Sequence, residues 1–383
     1  MTHVVAGLGA ALQLPSVLVL WVALLIRCPS VLRSPSQRGV WLAVASATAA
    51  MTFNLPSVTA LATRMSDAGP VAVVRNVLGV LSAWAVLDFV AQVATGIRWL
   101  RAVFAVAICH VVVVLLALDL TAGTHLRISL PATGPPAPSF DYWLALIGTH
   151  LTANTVCALM CWRYSGPSAG RSLALSLRLF GLGTAVVGVY WLGYLLRLCF
   201  GYPGLMPWLP LLMGLHGLLR AAAILVPTFF TLRRTLADVS TAWRLWPLWH
   251  DLVTAVPHVA LSKPRHRLLD ALWPRVPYQM LAYRRVIETR DAILALNDYA
   301  HPSLVPAVRG HMTRAGVPAA ELDAAVLAGV IKNARHVKLA GGPAHPAPVD
   351  LGGADTRDLE GEQALLLQVA RVYAAAPLCV PEG

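Results

Sequence analysis

The sequence predicts an all-α protein: a polytopic membrane bundle of about seven transmembrane helices, followed by a helical cytoplasmic domain. Three observations predict it. Of the 383 residues, 57% are hydrophobic and only 13% charged, where soluble domains carry about 25% charged residues. The charges are also unevenly placed: residues 1–232 hold 17 and residues 233–383 hold 31. Finally, arginines gather at alternate ends of the apolar segments, as the positive-inside rule requires.

A span needs about 20 mainly apolar residues to cross a hydrocarbon core of ~30 Å. Seven segments meet this: Val4–Ile26, Val40–Ala62, Val71–Ala94, Ala102–Leu120, Tyr142–Trp162, Leu179–Phe200 and Trp208–Leu232. No Arg or Lys precedes the first, which is therefore expected to stay uncleaved. Arg27, Arg33 and Arg38 follow the first span, Arg98 and Arg101 the third, Arg163, Arg171 and Arg178 the fifth, and Arg233 and Arg234 the last. All four clusters fall on one face, which makes that face cytoplasmic. The expected location is the cell membrane, with the N-terminus outside and the C-terminal domain inside. The charge break sets the domains at 1–232 and 233–383, with a Gly- and Pro-rich flexible linker near 340–354. A net charge of +12 that gathers at span ends speaks for lipid contact and not for nucleic acid.

Ionisable side chains at bilayer depth are costly and normally face the bundle interior. The candidate intramembrane site is Asp88, His110, His150, Asn154, His216 and Arg220. His150/Asn154 and His216/Arg220 are each four residues apart, so each pair shares a helix face. Arg220 is too deep to snorkel and needs an acceptor, for which Asp88 is the expected partner. Three readings are open: a static network that fixes packing, a polar cavity that binds an anion or relays protons, or haem ligation by the histidines. Gly181, Ala185 and Gly188 form a small-residue stripe for close helix approach. Asn54 and Pro56, and Pro210 and Pro227, mark expected kinks. The six cysteines show no metal or disulfide spacing, and no sequence feature calls for a cofactor. The absence of lysine from residues 1–262 excludes a retinal Schiff base.

In the C-terminal part, Trp243–Val256 is expected to lie at the membrane interface, its tryptophans beside Arg244. A helix over about Tyr278–Leu296 places Met280, Tyr283, Ile287 and Leu294 on one apolar face, with Arg284 and Glu288 paired at i, i+4. A second helix starts at Pro318 and buries Leu322, Val326 and Val330; a third, about Thr356–Ala375, buries Leu359, Leu366, Val369 and Tyr373. No phosphate loop, metal spacing or nucleophile motif is present, so no enzymatic activity is expected.

Four stretches carry a resemblance: WRLWPLW at Trp243–Trp249, PHVAL at Pro257–Leu261, YRRVIETRDAILAL at Tyr283–Leu296 and DLEGEQALLLQVARVY at Asp358–Tyr373. They resemble a family of actinobacterial multi-helix membrane proteins that carries the label transporter and ends in a cytoplasmic domain of unknown function. The resemblance implies the layout of spans followed by a helical domain, and it brings no substrate, cofactor or catalytic residue. It points to a carrier of unstated substrate. The alternative is a seven-helix sensor or scaffold that acts on a cytoplasmic protein through residues 235–383, with Arg284, Arg285, Glu288, Arg290 and Asp291 as the candidate contact surface. Nothing in the sequence sets an oligomeric state.

Overall fold

The computed structural model describes residues 2–33, 35–65, 68–95, 98–122, 130, 134–166, 170–345, 359–376 and 378. Among these residues every regular element is helical. Two compact units are present, Met1–Phe230 and Thr231–Gly383.

The first unit contains α1 (Thr2–Arg33), α2 (Pro35–Phe53), α3 (Pro56–Met65), α4 (Ala68–Thr95), α5 (Arg98–Thr121), α6 (Phe140–Tyr164), α7 (Arg171–Phe200) and the first half of α8 (Leu209–Ala255). Six of these, α1 and α4 to α8, are long and apolar enough to cross a membrane. Their outward faces are apolar: Leu18, Leu25, Val106, Val113, Leu159 and Phe229 are all exposed. In water such surface would be a liability, whereas lipid makes it the expected exterior.

The second expected span, Val40–Ala62, is not one helix. It divides into α2 and α3 because Pro56 has no N–H to continue the ladder. The backbone groups freed by the break are taken up locally. The Asn54 side chain donates to the Ala50 carbonyl at 2.8 Å, and the Thr59 hydroxyl donates to the Phe53 carbonyl at 2.9 Å. Backbone irregularity at membrane depth persists only where such partners exist.

Small residues bring the helices together. A Cβ on Gly181 of α7 would sit 3.0 Å from Cys161 Cβ of α6, and one on Gly183 would sit 3.1 Å from Leu219 Cβ of α8. The close approach is thus made at Gly181 and Gly183. Ala185 is exposed, and a Cβ on Gly188 would meet open space, so the expected stripe packs only at its first member. At the other end of α7, Gly201 takes a left-handed φ of 67° and its N–H bonds to the Arg197 carbonyl, closing the helix.

The second unit contains the rest of α8 with α9 (Arg267–Leu272), α10 (Tyr278–Asn297), α11 (Leu304–Arg314), α12 (Ala319–Leu339) and α13 (Leu359–Val372). Its core gathers Leu245, Leu248 and Leu252 of α8 with Val286, Leu296, Val308, Val330 and Val369. The stretch expected at a membrane interface is therefore core. It continues α8 without interruption, and Trp249 is only 1% exposed.

In α10 the expected face is the wrong one. Met280, Tyr283 and Leu294 are exposed, whereas Ala282, Arg285, Val286, Glu288, Thr289 and Ile293 are buried. Arg285 and Glu288 find partners in α9 and α8, and the Thr289 hydroxyl donates to the Arg285 carbonyl, which lets these polar residues take places in the core. α12 buries Val326 and Val330, with Leu322 half-buried against the core. α13 buries Leu366 and Val369, and Tyr373 follows in a 3-10 turn, while Leu359 is exposed. Of the linker expected at 340–354, residues 346–354 lie outside the described residues.

Candidate functional site

Five helices of the first unit surround a cavity of about 80 Å³. Its wall includes Asn54 at the end of α2, Ser82 of α4, His150 and Asn154 of α6, Trp191 of α7, and His216 and Arg220 of α8. The i, i+4 spacing of each α6 and α8 pair places both members on the lining face. A second cavity of about 40 Å³ is lined by Arg75 and Asn76 of α4, Trp143 of α6, and Tyr190 and Tyr194 of α7. Asn54, Gly79, His150, Trp191 and Met213 line both, so the two spaces are neighbours on either side of these residues.

His150 is fixed from three sides. Its ring stacks on Trp191 with centroids 4.0 Å apart and planes 8° from parallel. Its backbone carbonyl accepts from the Asn154 side chain at 2.7 Å. Gly79 leaves room for the ring, since a Cβ there would lie 3.4 Å from His150 Nε2. His216 is fixed by one bond, Nδ1 to the Gly183 carbonyl at 2.7 Å. A carbonyl can only accept, so Nδ1 carries the proton.

Arg220 has no such anchor. The residue is 5% exposed, and its Nε has no hydrogen-bond partner. Its guanidinium lies 5.0 Å from the Phe180 ring centroid. Among the described residues no carboxylate pairs with it. The expected acceptor, Asp88, is engaged elsewhere: both its oxygens bind Arg101 of α5, at 2.7 and 3.0 Å. Arg101 reaches Asp88 from only 13 residues away, a local closure that competes with any long-range partner. His110 also leaves the site, because it stands on an exposed face of α5. Of the six expected residues, four line the cavity and two do not. Sequence reasoning missed Arg75, Asn76 and the aromatic set Tyr190, Trp191 and Tyr194. The i, i+1, i+4 spacing of that set on α7 was the available signal.

In the second unit the WRLWPLW stretch works as a clamp. The Arg267 guanidinium lies 3.8 Å from the Trp243 ring centroid and that of Arg285 3.2 Å from the Trp249 centroid. The Trp246 indole donates to the Arg265 carbonyl at 3.3 Å. Arg285 also pairs with Asp270, and the Trp249 indole donates to Glu288 at 2.7 Å. Burial raises the Glu288 carboxyl above the ordinary glutamate range, against the downward pull of the Trp249 N–H and the Arg285 charge. Burial likewise lowers the Arg285 guanidinium, although Asp270 and Glu288 favour its charge. Arg285 and Glu288 are therefore interior groups and cannot belong to the expected contact surface. Arg290 on that surface binds Glu362 of α13 at 2.9 Å, while Asp291 is exposed.

Fold and site together define a membrane-spanning helical protein with a polar cavity inside its bundle and a separate helical C-terminal unit. Residues 233–376 match the model of a family of unknown function (DUF6545). No curated protein and no solved structure matches the chain.

Proposed function

We propose that the chain is a carrier of a small solute, bound in the cavity between α2, α4, α6, α7 and α8. The observation that carries this reading is the buried, unpaired Arg220 in the wall of a space large enough for several waters. Purely structural polar groups in a bundle satisfy one another, whereas a charge left unpaired beside a cavity is in place for a ligand. The interrupted crossing made by α2 and α3 supports the reading, because broken helices bring polar backbone and side chains to a substrate site. Counted as one crossing, it brings the total to seven, and the four Arg clusters then orient the C-terminal unit to the cytoplasm.

Purified protein in liposomes tests the proposal by uptake of labelled cationic, neutral and anionic solutes. One class should enter, and Gly79→Leu, which fills the space beside His150, should abolish its entry. Failure of every class to enter would sink the carrier reading. A sensor is the second reading. It is favoured by α8, which supplies Arg220 to the cavity and Trp249 to the core of the second unit. In that case a solute that binds without crossing would change hydrogen exchange around Trp249.

A further inference from the structure

We infer that the ligand of this cavity is a small monovalent anion of carboxylate size, held by Arg220 and admitted by way of the Arg75 cavity. The inference rests on the proposal that the cavity is a solute site, but not on transport.

Charge is the first argument. The two neighbouring cavities are lined by two arginines and two histidines, and no Asp or Glu lines either one. Neither arginine has a carboxylate partner among the described residues. A cation entering this space would meet fixed positive charge at low dielectric, and a neutral solute would leave Arg220 uncompensated. An anion beside the guanidinium neutralises it.

Valence and size follow from the same geometry. The space beside Arg220 holds one guanidinium, so it balances one negative charge. About 80 Å³ admits an ion of a few heavy atoms, since a space of about 10–15 Å³ on this measure already holds one water. Four other lining donors are already in use: the Asn54 side chain donates to Ala50, Asn154 to His150, Ser82 to Gly79 and His216 to Gly183. Each amide keeps one spare N–H. Arg220 is thus the anchor, with Asn54 and Asn154 as secondary donors.

The route is set by what closes the other side. Ala43, Val86, Cys157 and Cys161 pack into an apolar cluster with Phe180, the ring beside the Arg220 guanidinium. The way out is past His150 and Trp191 into the space of Arg75, whose only bond among the described residues is a 3.4 Å contact to the Asn76 oxygen. At 1.5 Å per residue, Arg75 lies about 10 Å from the start of α4 and Arg220 about 17 Å from the start of α8. An anion moving inward would therefore meet the two arginines in succession.

Acetate is the probe, with chloride as a smaller ion and gluconate as one too large to enter. Thermal unfolding of the full-length protein in lipid nanodiscs is measured at constant ionic strength. Acetate should raise the midpoint saturably, chloride should raise it more weakly, and gluconate should leave it unchanged. Arg220→Met should weaken acetate binding about ten-fold or more, as loss of a charge-assisted hydrogen bond does. In gluconate the same variant should melt above the wild type, because it removes an unpaired buried charge. A structural Arg220 would instead make that variant melt lower. Gly79→Leu keeps Arg220 but should lose the acetate response. A wild type indifferent to acetate and chloride, or an Arg220→Met variant that responds as the wild type does, would overturn the inference. Acetate binding without flux of any solute overturns the carrier and leaves the anion site standing. Solute flux that neither acetate nor Arg220→Met disturbs does the reverse.

Discussion

Trp249 holds two opposite charges at once: Arg285 lies across its ring face, and Glu288 accepts its indole N–H. The arrangement lets two ionisable groups enter a core without stranding either. Glu288 binds its proton more tightly in the folded state, since burial raises it. Its contribution to stability is then full below the ordinary glutamate value of 4.5 and is lost as pH rises through the higher folded value. Unfolding midpoints of the C-terminal unit, followed in full-length protein, should fall across that window, and Glu288→Gln should flatten the fall. An unchanged slope in the variant would assign the pH dependence elsewhere. Single residues of this kind were the least legible part of the sequence. Arg285 and Glu288 look like surface charges because their partners lie in other elements, Trp249 in α8 and Asp270 in α9. Arg220 was recognisable as a buried cation from its depth alone, but its lack of an acid was not, because Asp88 could be matched to it on paper. The nearby Arg101 takes Asp88 instead.

At the scale of the element, α2 and α3 show how a helix can break inside a bundle and leave few polar groups open. Pro56 makes the break, Asn54 caps the carbonyl before it and Thr59 the one across it. Thr59→Val keeps the shape and deletes the hydroxyl that serves the Phe53 carbonyl. It should destabilise the protein by about 0.5–1 kcal/mol, read as a lowered midpoint in detergent. No loss at all would mean that another group or water serves that carbonyl. The break itself was visible as an Asn-x-Pro within an apolar run. That it divides the segment into two helices depends on neighbours that supply packing to each half. Met51 and Leu55 sit in a cluster with Leu20 and Leu24 of α1 and Ala221 and Ile224 of α8. Helix α10 shows the opposite limit. Its period was legible, but its buried face was not, because the stronger apolar stripe faces outward.

At the scale of the whole molecule, composition alone carried the class. Six helices meet the length and apolarity of a span, and the shift in charge near residue 233 falls close to the division between the two units. Orientation rests on the arginines, and the proposed placement is testable by labelling. In a cysteine-free background, a cysteine at Tyr202 or Met65 should react with an impermeant maleimide from outside intact cells, and one at His301 only after lysis. The reverse pattern would invert the assignment and with it the direction of the route to Arg220.

The interruption at Pro56 also bears on how the chain is made. Helices such as α5 carry an apolar stretch long enough to cross a membrane, whereas the apolar part of α2 covers only Trp41–Phe53. What secures α2 and α3 is a cluster that includes Ala221 and Ile224, residues that emerge from the ribosome more than 150 positions later. On the proposed topology, this crossing should be completed only when α8 arrives. In the same labelling experiment, chains ended before Leu209 should lose the outside reactivity of a cysteine at Met65.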